Sequence, residues 1–153
     1  MKGTLGLAAV AVAVLLVATA GVATAKNVGK DSVTGGFHDI YGFNNGVQAS
    51  SGPSGENPTG HASSTNPYNG AKIRENAVCV AVSGNLAATG MVGTANGEPY
   101  SEVLVYRDGG PGGSGDGFDS FPGDPLDCAS FVAAAEFAPA ILAGNILVKD
   151  AAP

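Results

Sequence analysis

An all-β domain, an antiparallel sandwich or barrel of about seven or eight short strands, is the fold class this sequence predicts. Three observations carry that expectation. The 153 residues include 24 Gly and 9 Pro but only 13% charged residues, a balance suited to turns and close-packed strands. Apolar residues recur in short runs, several of them alternating with polar ones, as a half-buried strand requires. Turn signals such as Asn45-Gly46, Ser83-Gly84-Asn85 and Asn96-Gly97 fall between those runs. The pattern leaves the choice between open sandwich and closed barrel undecided.

The chain opens on Met1-Lys2 and a continuously apolar or small run, followed by Ala18-Thr19-Ala20 and Ala23-Thr24-Ala25. A short basic start, an apolar centre and a small-x-small site form the pattern of a secretory signal peptide. Residues 1–25 are therefore expected to be removed, with Ala20 an alternative last residue of the leader. No basic cluster follows that would stop transfer, so no membrane span is expected after cleavage. Residues 26–31 read as a polar tail, and residues 32–150 as a single β domain.

The elements follow in order. Residues 32–41 have β propensity broken by Gly35-Gly36, which suggests a strand with a bulge or bend. Val47 to Ser50 alternates as a short strand. Ser51 to Gly60 carries Pro and Gly at spacings that exclude regular structure and require fixed turns. His61 to Asn66 reads as a weak, polar edge strand. Ala71 to Val82 is a long strand, paired through Ser83-Gly84-Asn85 with Leu86 to Val92 in a hairpin. Val78, Val80 and Val82 share one face of it; Cys79 and Ala81 share the other. Ile73 has the parity of Cys79, so a bulge near Glu75-Asn76 would realign the faces. Tyr100 to Arg107 is a clear strand, with Val103 and Val105 on one face and Leu104 and Tyr106 on the other. Asp108 to Asp127 is rich in Gly, Pro and Asp, with a brief strand at Phe118 to Phe121. Residues 130–137 are ambiguous: the alanines favour helix, Phe131-Val132 and the context favour strand, and strand is the expectation. Ile146 to Lys149 forms the last strand.

Cys79 and Cys128 are the two cysteines. In an exported protein an even pair usually closes, and two cysteines allow one intramolecular bridge. In the chain-entropy model a loop of about fifty residues gives about 4 kcal/mol of stabilisation.

The decamer Ser51-Gly-Pro-Ser-Gly-Glu-Asn-Pro-Thr-Gly60 resembles the signature of a family of small secreted β-rich proteins and modules from high-GC Gram-positive bacteria. Val78-Cys79-Val80, Ser83-Gly84-Asn85, Val103 to Gly112, Phe118, Cys128 and Gly144 to Val148 agree with it in order. Similarity extends over roughly residues 32–151. Ala133-Ala134-Ala135 and Ala140 depart from it, standing where bulkier strand residues are expected. The resemblance implies an extracellular β module and no particular activity.

Chemistry-bearing residues are sparse. A net charge of −6 disfavours nucleic acid, or an anionic membrane surface, as a partner. Ser54, Glu56 and Asn57 form a candidate recognition loop, against the simpler reading of a rigid double turn. Asp108, Asp116 and Asp119 are weak candidates for calcium, which prefers carboxylate and carbonyl oxygens; their spacing matches no EF-hand. His38 and His61 are too few for a zinc site without added carboxylates. Paired-carboxylate hydrolysis would need two of Glu56, Glu75, Glu98 and Glu102 to face one another, yet Glu75 and Glu98 read as solvated residues at bends. No residue is assigned a catalytic role. The expectation is a secreted, non-catalytic β module with a binding or structural role, engaging an envelope polymer or protein and needing no cofactor. A calcium-stabilised adhesion-type module and a small extracellular hydrolase are the alternatives.

Overall fold

The structure, a computed structural model, describes residues 29–151. The expected signal peptide and the first residues of the polar tail lie outside that range. Strands β1 (Asp31–His38), β2 (Asn44–Ser51), β3 (Thr59–Thr65), β4 (Lys72–Ser83), β5 (Leu86–Ala95), β6 (Glu98–Arg107) and β7 (Gly117–Phe121) run as an antiparallel meander. Strand β8 (Ala143–Lys149) returns to pair with β1. The eight strands form one sheet that curls into a nearly closed barrel, which decides the form that sequence patterning left open.

Alternation fills the interior. Val33 and Phe37 of β1, Val47 and Ala49 of β2, Val80 of β4, Met91 of β5, Leu104 and Tyr106 of β6, Phe118 of β7 and Ile146 of β8 form one buried cluster. Phe118 is its hinge point, with ring centroids 4.8 Å from Phe37 and 5.6 Å from Tyr106. Outward positions such as Gln48, His61, Ser63, Lys72 and Arg74 are polar or exposed. That polarity is the reverse of a membrane barrel, which turns an apolar band outward.

The bulge expected in β4 exists, but it sits between Ala77 and Cys79 rather than at Glu75-Asn76. Val78 absorbs the extra residue, so that Ala77 and Val82 both pack on the inner cluster. The break expected in β1 is absent: β1 holds continuous register with β2 and β8. Its Gly35 serves close approach instead, since a Cβ there would lie 2.7 Å from the Asn145 carbonyl oxygen. Nor is β3 an edge strand. It pairs on both sides, and its polarity reflects an outer face that nothing covers.

One sector of the barrel has a second layer. The outer faces of β4, β5 and β6 present Cys79, Ala81, Ala88, Val103 and Val105, and residues Cys128–Phe137 cover them as a 3₁₀ helix. The strand expected at residues 130–137 is thus overturned. Ala133-Ala134-Ala135 supplies no in-out alternation, while a helical turn buries Ala135 against this face. The Cys79–Cys128 disulfide pins the helix to β4. Gly90 completes the fit, because a Cβ there would fall 1.5 Å from the Pro125 carbonyl oxygen.

Closure between β7 and β8 does not use a regular ladder. A single bridge joins Gly117 and Ala140. Beyond it, the Asp116 carboxylate accepts the Ile146 N–H, and the Asp108 carboxylate accepts the Val148 N–H at 3.0 Å. Two aspartates therefore satisfy the donors that β8 would otherwise leave at an open edge. One end of the barrel is formed by the β1–β2, β3–β4 and β5–β6 turns. The opposite end carries the β2–β3, β4–β5 and β6–β7 loops.

Candidate functional site

A cavity of about 260 Å³ opens at the end bounded by the β1–β2, β3–β4 and β5–β6 turns. Asp39 shapes its rim. This buried carboxylate accepts the backbone N–H groups of Tyr41 at 2.9 Å and Phe43 at 3.0 Å, and the Asn45 amide at 2.8 Å. The loop is held so that Tyr41 and Phe43 both line the opening. The Tyr41 hydroxyl donates across the β7 side of the mouth to Asp119, 3.1 Å away. Ser64 of β3 donates to Asn45 at 2.6 Å, and Ile73 of β4 adds apolar wall. Tyr100 and Glu102 of β6 enter from the far side, and Phe118 closes the inner end.

Glu102 is joined there by a second carboxyl. Glu75 on β4 pairs with Gly93 on β5, which in turn pairs with Tyr100 on β6. A Cβ on Gly93 would stand 2.6 Å from the Glu75 Cα, so only glycine lets β4 press in this closely. Glu75 thereby reaches Glu102 within hydrogen-bonding contact. Both side chains are almost wholly buried, at 4% and 5% exposure. Burial first, and then the Glu102 charge, push the Glu75 carboxyl up to about 8. Burial also raises Glu102, opposed by hydrogen bonds from Tyr100, Glu75 and Ser120. The Tyr100 hydroxyl donates to Glu102 at 3.0 Å and is itself pushed up to about 12 by burial and the neighbouring carboxylate. Two carboxyls this close share one proton near neutral pH. The Glu75 Oε1 atom remains buried with no hydrogen-bond partner.

Of the four glutamates weighed for a carboxylate pair, Glu75 and Glu102 are the two brought together here; the recognition-loop and calcium candidates lie elsewhere, with one exception. Ser54, Glu56 and Asn57 sit in the β2–β3 loop, at the opposite end of the barrel. There Glu56 turns back onto the Ser54 N–H at 2.8 Å, its carbonyl accepts the Gly52 N–H, and Asn57 takes a left-handed backbone at φ 52°. That is the geometry of a fixed double turn. A second hollow, of about 390 Å³, lies between this loop and Gly29-Lys30. Asp108 and Asp116 spend their oxygens on backbone donors, among them Gly110 and Gly109, each at 2.8 Å. Only Asp119 lines the mouth. Among the described residues, no group of three or more His, Cys, Asp or Glu is placed to hold a metal ion. His38 pairs with Asn44.

Glu75 is not the solvated residue that its position near an expected bend suggested. Glu102 was readable: it shares parity with the inward Leu104 and Tyr106, which is the signal that marks it as an interior carboxyl. No family model, no curated protein and no solved structure matches this chain.

Proposed function

We propose that this is an exported, non-catalytic binding module whose ligand seat is the mouth of the barrel. The observation that carries the reading is the cavity itself. It is preformed, walled by rings and polar groups on paired strands, and placed where small barrels commonly hold a ligand. Its volume suits a ligand of few heavy atoms, or a terminal group of a larger molecule such as an envelope polymer. Export is supported by the leader pattern in residues 1–25 and by a disulfide, which persists in oxidising compartments.

The Glu75–Glu102 pair favours one competing reading, carboxylate-based hydrolysis. Glycosidases hold their two carboxyls at least about 5 Å apart, so that sugar or water fits between them. Carboxyls in mutual contact leave no such gap, and this supports binding over that chemistry. A calcium-stabilised module would have to recruit Asp108, Asp116 and Asp119, whose oxygens already serve N–H and hydroxyl donors.

A ligand-observed NMR screen of small amines, polyols and amino acids tests the proposal. Hits that disappear in Ser64→Trp, which fills the cavity, are the expected result. Hits unaffected by Ser64→Trp, or no hits, contradict it.

A further inference from the structure

We infer that the barrel mouth takes a small organic cation, an alkylammonium group seated against Glu102 and boxed by aromatic rings. This rests on reading the mouth as the ligand seat, and it names the chemistry of what enters.

Four rings line the cavity: Tyr41, Phe43, Tyr100 and Phe118. Ring faces carry negative quadrupole potential and attract ammonium groups, most strongly when water is excluded. Three carboxylates, Asp39, Glu102 and Asp119, share the lining, and no Lys or Arg does. An anionic ligand would find no partner there.

The hydrogen-bond arrangement separates a cation from a neutral polyol. A saccharide needs donors as well as acceptors from its site. Here the wall's donors are committed internally. Tyr41 gives its proton to Asp119, Tyr100 and Ser120 to Glu102, Ser64 to Asn45 and the Asn45 amide to Asp39. What faces the cavity is acceptor oxygen and ring surface. Behind Glu102 stands a second carboxyl, Glu75, whose Oε1 atom is buried with no hydrogen-bond partner, so the pair brings no positive charge to the site. An alkylammonium supplies that charge and needs no donor in return.

Calorimetric titration of the disulfide-closed protein with choline and with its uncharged isostere, 3,3-dimethylbutan-1-ol, tests the inference. Choline should bind saturably and at least about tenfold more tightly than the isostere, a difference of about 1.4 kcal/mol. Glu102→Gln should remove most of that preference. Should Glu102→Gln fail to fold, Tyr41→Ser on the exposed rim should weaken choline binding instead. Equal binding of the two probes, or binding of glucose in preference to both with loss in Ser64→Trp, would overturn the cation and leave the seat standing. Absence of binding by choline, isostere and glucose alike would overturn both.

Discussion

The carboxyl of Glu75 on β4 meets that of Glu102 on β6 across Gly93 of the intervening strand, inside the barrel and at the base of its open end. An acid pair at this depth is costly unless it holds a proton. It therefore ties stability, charge and occupancy of the mouth together.

The pair should leave a signature in the pH dependence of stability. Glu75 titrates near 8 in the fold against an ordinary value of 4.5. The folded state then binds more protons than the unfolded state between those values, so stability falls as pH rises through them. The contribution is complete at and below about 4.5 and lost above about 8, with a steepest slope of about 1.4 kcal/mol per pH unit. Urea midpoints measured from pH 5 to 9 should show this decline, and Glu75→Gln should flatten it. An identical slope in the variant would mean that Glu75 is not the group that titrates.

The barrel seam depends on Asp116. Its carboxylate accepts the N–H groups of both Gly109 and Ile146 from a fully buried position. Asp116→Ala leaves both donors unpaired, at about 1–3 kcal/mol each. Hydrogen exchange should show β8 amides, led by Ile146, losing protection before those of β4 and β5. Because the aspartates already serve backbone donors, millimolar calcium should leave the melting temperature unchanged. A calcium-dependent rise abolished by Asp116→Asn would reverse this assignment.

Sequence patterning revealed the strands but not their closure. The Ser83-Gly84-Asn85 and Asn96-Gly97 turns and the alternation of β6 were sufficient for their hairpins, because both depend on neighbours in the chain. Asn45-Gly46 is not the turn expected there but lies within β2, paired with Phe37 and Gly36 of β1, and the chain reverses at residues 39–43. The β1–β8 pairing joins residues more than 100 positions apart, and the Asp116–Ile146 contact of the seam spans 30, which local periodicity does not encode. Glu75 was misjudged because the bulge lies two residues further on, at Val78, leaving Glu75 in an unbroken inward phase with Ile73 and Ala77. At residues 130–137 alanine propensity pointed the right way, and the all-β context overrode it wrongly. The helix lies outside the barrel, where no strand is needed.

The disulfide should act on that outer layer more than on the barrel. Cys128 opens the 3₁₀ helix and Cys79 lies on β4, 49 positions earlier in the chain. The chain-entropy model gives about 4 kcal/mol for such a loop. The Cys79→Ala/Cys128→Ala variant should lose several kcal/mol in urea unfolding. Its helix amides should exchange fast while β1 and β2 stay protected. Uniform loss of protection would show that the barrel cannot stand without the bridge.

The most direct test of the account is a map of amide shifts by ¹⁵N NMR during choline titration. Saturable changes at Tyr41, Ser64, Ile73, Tyr100 and Ser120, with residues 51–60 unmoved, are the predicted result. Changes confined to residues 51–60 would place recognition at the opposite end of the barrel and contradict the account.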